Sequence, residues 1–185
     1  MRTVGIDEVG RGCWAGPLVV GAVLLGEPIE GLTDSKLLSR KRRETLAPIV
    51  HQQALAVGLG WVWPEEVDAW GITTAVKLAM QRALDAIAVD YDEVIIDGNI
   101  NYLQDNPKTR ALIKADLTEP SVSAASIVAK VARDQYMADL PERYAGYGFE
   151  AHVGYGTAAH IAALKTLGVS DIHRRSYKPI RALLA

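Results

Sequence analysis

Short apolar runs in this chain end repeatedly in an acid. Val4-Gly5-Ile6 leads into Asp7-Glu8, Val94-Ile95-Ile96 into Asp97, and Leu112-Ile113-Lys114-Ala115 into Asp116. Runs of this length and composition read as buried strands. Strand ends of an open α/β sheet meet along one edge, and ligands bind there. Folding alone gives no reason to gather carboxylates on one edge, since each raises the pKa of the others. Divalent cations relieve that repulsion, and Mg²⁺ or Mn²⁺ suits a site built from carboxylates. Each acid taken singly has a plain alternative. Asp97-Gly98 is a turn signal, Asp116 could cap a turn, and Asp7-Glu8 could lie on the surface. Adjacent strand residues point to opposite faces. Asp7 and Glu8 therefore share a site only if the chain bends near Gly10, or if Glu8 contributes its backbone carbonyl.

The remaining pattern places these acids in a mixed α/β sheet flanked by helices. The sequence predicts strands over 3–6, 18–25 and 54–62 as a meander, with Gly10, Gly12, Gly16 and Pro17 punctuating the first connection. Two further short strands cover 94–96 and 111–115. Ser39 caps a predicted helix running to Leu46, stopped or kinked at Pro48. A second helix covers 74–89, where Val76, Ala79, Met80, Ala83, Leu84 and Ile87 fall at helical spacing. Ser123 caps a third, running to Leu140, and a last helix over 157–167 stops at Gly168. Strands interleaved with helices give an α/β class.

The 185 residues suit one domain over 1–185, with a small helical portion over roughly 141–185. The lone Cys13 allows no internal disulfide, Asp7-Glu8 interrupts any signal-peptide core, and no apolar stretch spans a bilayer. A cytoplasmic protein is expected. A net charge of −2 is neutral about nucleic acid, because an average hides basic stripes. Two basic clusters stand out, Arg40-Lys41-Arg42-Arg43 and Arg174-Arg175 with Lys178 and Arg181. Each is either a solvated face or a phosphate contact. Gly10-Arg11-Gly12 is either a hairpin turn or a backbone cradle, with Arg11 placed to bind a phosphate. It is not a P-loop, since no Gly-Lys-Ser/Thr follows at the required spacing.

Gly5-Ile6-Asp7-Glu8-Val9-Gly10-Arg11-Gly12 followed by Ala15-Gly16-Pro17 closely resembles the opening signature of the ribonuclease HII family, the type 2 ribonucleases H. Asp34-Ser35-Lys36 resembles that family's next motif, and Ile96-Asp97-Gly98-Asn99 its third carboxylate strand. Lys114-Ala115-Asp116 and the stretch from Ser123 to Asp134 resemble the block that carries the fourth. His152, Gly154-Tyr155-Gly156-Thr157 and Ile172-His173-Arg174-Arg175-Ser176 resemble the closing motifs. The likeness runs in order through nearly the whole chain. It departs at Cys13-Trp14, where Pro-Leu is common, and at Leu37 and Val153, where lysines are usual. Gln135 stands in place of a usual arginine.

The resemblance implies a ribonuclease H-like fold and endonucleolytic hydrolysis of RNA in RNA–DNA hybrids, including ribonucleotides embedded in duplex DNA. It implies that Asp7, Glu8, Asp97 and Asp116 hold two divalent ions, Mg²⁺ or Mn²⁺. One would activate water and the other would stabilise the leaving 3′-oxygen, giving 5′-phosphate and 3′-hydroxyl ends. Gly10, Arg11 and Gly12 would sense the 2′-hydroxyl. Ser35, Lys36, Lys130 and Arg133 would contact substrate, the cations through phosphates, and Tyr155 would pack on the next deoxyribose. Tyr155 alone reads better as a local loop tyrosine, and each cation alone could be only a solvated charge. A monomer is expected, with no membrane partner. Competing readings are a junction resolvase or actin-like phosphotransferase of the same superfold, or a silent hybrid-binding module. Metal-dependent cleavage at one embedded ribonucleotide separates them.

Overall fold

The structure is a computed structural model and describes residues 1–33, 35–140 and 142–184. Its centre is a five-stranded sheet in the order β3-β2-β1-β4-β5. The strands are β1 (Thr3–Val9), β2 (Leu18–Leu24), β3 (Ala56–Val62), β4 (Glu93–Asp97) and β5 (Thr109–Leu112). The first three pair antiparallel as the predicted meander, and β4 and β5 add parallel on the other side of β1. β1 is therefore central, flanked by β2 and β4. β2 is buried at every position and carries alanine, valine and leucine with one glycine, as a strand covered on both faces should.

Two long helices cover the sheet. α2 (Pro64–Asp85) buries Val76, Ala79, Met80 and Ala83 on one face, against Val4, Ile6, Leu18 and Val20. The helix is broken at Gly71 (φ 76°, ψ 159°): the part after the break carries the predicted apolar face, and a first helical stretch from Pro64 precedes it. The other face takes α4 (Pro120–Ala138). It approaches very closely: a Cβ on Gly5 would stand 2.2 Å from the main chain of Ser121, and one on Gly21 would stand 2.4 Å from the Ala125 carbonyl. α1 (Arg40–Gln53) packs outside α4 through Leu46, Ala47 and Val50. Ser39 caps α1, its side chain accepting from the Arg42 N–H. The helix continues through Pro48 to Gln53 and buries Leu46, Ala47 and Val50 on either side of the proline.

The last part of the chain holds α5 (Phe149–His152), α6 (Ala158–Leu167) and α7 (Lys178–Arg181). Ala15, Met137, Tyr144, Tyr147, Phe149, Leu164, Ile172 and Ile180 form their core. No described helix is long and apolar enough to cross a membrane.

Two local expectations change. Asp116 does not end a strand. β5 stops at Leu112, Lys114 turns the chain in the left-handed region (φ 59°, ψ 35°), and Asp116 falls in the short helix α3 (Ala115–Thr118). α4 starts at Pro120, after a cap at Glu119 rather than at Ser123. Ser123 lies inside the helix, and its hydroxyl donates to the Asp116 carbonyl at 2.7 Å. That bond ties α3 to α4.

Candidate active site

β1 runs on to Val9, so Asp7 and Glu8 both lie within the strand, paired with Gly21 and Val20 of β2. The pleat separates them. Asp7 shares the face of Gly5 and meets α4, while Glu8 lies on the face of Val4 and Ile6. Asp7 is nearly buried with Ser126 of α4 beside it, and its Oδ1 accepts from the Glu8 N–H at 2.8 Å. Asp97 closes β4, the parallel neighbour of β1. Its Oδ1 accepts from the N–H groups of Ala115 and Asp116, at 2.8 and 3.4 Å. One carboxylate thus fixes the start of α3 and brings Asp116 to the strand edge.

The outcome is a cluster. One carboxylate oxygen each from Asp7, Asp97 and Asp116 lies within 4.8 Å of the other two. Glu8 is outside this trio. It pairs instead with Arg11 at 3.6 Å, at the rim of the same pocket. Burial, then the charges of Glu8 and Asp97, push the Asp7 carboxyl up to about 8, against the opposing Ser126 hydrogen bond and Lys36 charge. Burial also raises Glu8, which Arg11 partly offsets. Oxygens this close need a proton or a cation among them, and a set made only of carboxylate oxygens matches a hard divalent ion. The cluster therefore fits Mg²⁺ or Mn²⁺ on its own geometry.

A pocket of about 280 Å³ opens over Asp7 and Asp97. Glu8, Gly10, Arg11, Gly12, Ser35, Lys36, Lys130 and Tyr155 also line it, so the structure brings most of the anticipated substrate contacts to one place. Lys36 Nζ lies 3.7 Å from Asp116, Lys130 pairs with Asp134 at 2.8 Å, and Ser35 shares a 2.8 Å hydrogen bond with Ser126. Asp34, of the same motif as Ser35 and Lys36, lies outside the described residues. Ser126 and Arg43 line the pocket as well. Ser126 was legible only as a small residue in an alanine-rich helix, and Arg43 only as one charge in a basic run.

Arg133 behaves differently from the expected phosphate contact. Its side chain has no exposed surface and donates to the carbonyls of Pro17, Val153 and Ala15, at 2.8, 2.8 and 3.1 Å. With three of its five N–H donors on main chain and no exposed surface, it offers no contact to a phosphate. It staples α4 to the β1–β2 connection and to the chain before Gly154. Arg174, from the second basic cluster, is likewise fully buried and donates to Gly16, Arg11 and Tyr177. The helical period and a local charge count do not reveal which arginine of a cluster turns inward.

The family model for ribonuclease HII matches residues 4–180. The chain belongs to the ribonuclease HII family. A curated ribonuclease HII from Laribacter hongkongensis is 49% identical over all of this chain and 94% of its own length. One from Hyphomonas neptunium is 47% identical, covering 98% of this chain and 95% of that protein. Among solved structures, ribonuclease H2 from Pyrococcus horikoshii superposes with a TM-score of 0.81 at 26% identity, over 99% of this chain and 97% of that one. The ribonuclease H-like mixed sheet is thereby shown, as is the enzyme class, a metal-dependent ribonuclease. Within the family frame, Asp7, Asp97 and Asp116 are the side chains whose oxygens converge.

Proposed function

We propose that this enzyme hydrolyses the RNA strand of RNA–DNA hybrids and cuts at ribonucleotides embedded in duplex DNA, with two Mg²⁺ or Mn²⁺ ions bound during the reaction. The observation that carries this reading is the convergence of Asp7, Asp97 and Asp116 beneath a pocket rimmed by cations and glycine backbone. Asp7, Asp97 and Asp116 hold the ions through their side chains, and Glu8 joins them from the strand's other face through its backbone carbonyl. When bound, the ions supply an activated water and charge neutralisation at the leaving 3′-oxygen.

The chain's own residues do the rest. Asp97 keeps one oxygen on the α3 N–H groups and so offers the other to the site. Ser126 orients Asp7. Lys36 and Lys130 draw phosphates to the pocket, beside Ser35, and Arg11 is divided between Glu8 and the substrate. At Gly12 the main chain is open to a 2′-hydroxyl, since no atom stands within 4 Å of a Cβ built there, whereas Gly10 takes a left-handed turn (φ 85°) packed against the Arg133 side chain. Tyr155, 42% exposed at the pocket wall, packs on the deoxyribose that follows the ribonucleotide.

The test is cleavage of two substrates, a long RNA–DNA hybrid and a DNA duplex with one embedded ribonucleotide, with Mg²⁺, Mn²⁺ or a chelator. Cleavage of both with either metal and none with chelator is expected, leaving 5′-phosphate and 3′-hydroxyl ends. Inertness toward the embedded ribonucleotide would remove that half of the proposal.

A further inference from the structure

The loop Gly154-Tyr155-Gly156, which brings the Tyr155 ring to the pocket, is held by buried imidazoles. The Tyr155 N–H donates to the His152 carbonyl at 2.9 Å, and the Tyr155 carbonyl stands 2.9 Å from His160 Nδ1. His160 Nε2 lies 3.0 Å from His173 Nε2. His173 Nδ1 in turn meets the Ser170 backbone N–H at 3.0 Å and its hydroxyl at 2.8 Å. His160 and His173 are both essentially without exposed surface.

This chain of contacts has only one consistent set of protons. The Ser170 N–H can only donate, so His173 Nδ1 carries the lone pair. The neutral His173 ring then has its proton on Nε2 and donates it toward His160 Nε2. That leaves the His160 proton on Nδ1, pointing at the Tyr155 carbonyl. A single backbone N–H at Ser170 thus dictates the tautomers of two rings and delivers one directed hydrogen bond to Tyr155. His152 is set in the same way. The Gly154 N–H donates to its Nδ1 at 3.2 Å, and its Nε2–H donates to the Tyr147 carbonyl at 2.7 Å. The His152 and His160 rings stack at 4.4 Å. On the far side, Trp14 closes against Gly156, where a Cβ would stand 2.2 Å from its ring.

We propose that His160 and His173 are positioning residues for cleavage: the imidazole relay from Ser170 to the Tyr155 carbonyl sets the angle at which the Tyr155 ring meets the sugar beside the scissile phosphate. This rests on the reading of Tyr155 as the ring that packs on that deoxyribose. The relay itself touches no substrate and sits behind the loop. Its influence should therefore fall on the substrate that depends on Tyr155 and spare the steps that depend on the carboxylates.

The experiment compares kcat/KM on the embedded-ribonucleotide duplex and on the long hybrid, using the full chain with Mg²⁺. His160→Asn keeps an N–H donor at the Nδ1 position, whereas His160→Gln moves the amide to the Nε2 position and leaves the Tyr155 carbonyl with the Thr157 N–H, at 2.8 Å, and no donor from the relay. His160→Gln should lose about tenfold more on the embedded ribonucleotide than on the hybrid, as misplacement of a positioning group does, and His160→Asn should restore the ratio. Tyr155→Ala is measured beside them. If Tyr155→Ala loses equally on both substrates, the reading of Tyr155 fails and the relay's role falls with it. If Tyr155→Ala is selective while His160→Gln is not, the relay alone is overturned. Nitrogen chemical shifts of the wild-type imidazoles are a check independent of any variant: His160 should carry its proton on Nδ1 and His173 on Nε2, and the reverse tautomers would contradict the relay.

Discussion

Asp7 is a carboxylate placed where a carboxylate is uncomfortable. Burial and the nearby Glu8 and Asp97 charges raise its folded value to about 8 from an ordinary 3.8. A raised acid favours the folded state while it can stay protonated. Its contribution is complete below about pH 4 and is lost as pH rises toward 8. In chelator, Asp7→Asn should therefore melt higher than wild type, with a difference that grows from pH 5 to pH 8; thermal unfolding at the two pH values reads it directly, and a difference that shrinks would contradict it. The same proton competes with the metal, so divalent-ion affinity should rise over that pH range. Arg133 is the opposite case, a charge fully satisfied inside. Arg133→Met leaves the Pro17, Val153 and Ala15 carbonyls without donors, at a cost on the order of 3 kcal/mol. Urea unfolding should show that loss, and at low denaturant the affinity of the folded variant for a hybrid should stay near wild type. A large affinity loss with unchanged stability would restore Arg133 to the phosphate contacts.

Elements explain why the site could be partly anticipated from sequence. β2 and the centre of β4 are visible because strands buried on both faces write themselves as nearly continuous apolar runs, and β1 shows through Val4-Gly5-Ile6. Asp7 and Asp97 were visible as the acids interrupting them. What stayed hidden was contact between elements. Nothing in Lys114-Ala115-Asp116 announces the left-handed turn that makes α3, and Asp97, the acid that caps it, lies far upstream. Nor does the alanine-rich α4 announce which residue faces Asp7. Gly5 and Gly21 are the reason that α4 lies close enough for Ser126 to do so. Gly21→Ala would drive a methyl into the Ala125 carbonyl, and α4 must move off β2 to admit it. Overpacking of this kind costs about 1–3 kcal/mol. Since the displaced helix carries Ser126 and, through Ser123, holds α3, kcat should fall together with stability. A stable Gly21→Ala enzyme with full kcat would show that the spacing is slack.

At the scale of the whole molecule, a net charge of −2 conceals an uneven surface. Two of the arginines that looked available, Arg133 and Arg174, are internal. The cations left around the pocket are Arg11, Lys36, Arg43 and Lys130. Hybrid affinity should fall with added salt, with a slope of about −0.7 to −0.9 for each phosphate neutralised. Lys130→Ala, which removes a cation from the pocket lining, should make that slope shallower. The C-terminal portion carries its own pH dependence. Burial, followed by repulsion from His160, lowers His173 to about 4 from an ordinary 6.5. A base depressed in the folded state stabilises fully above its unfolded value, and that stability is lost as pH falls from about 6.5 toward 4. Everything nonetheless depends on three carboxylates converging from β1, β4 and α3. The most direct test is the cleavage rate of Asp7→Asn on a duplex with one embedded ribonucleotide, at saturating Mn²⁺, on protein whose folding is verified by circular dichroism. Loss of cleavage in a well-folded variant is the predicted result, and wild-type cleavage by that variant would contradict the assignment of the site.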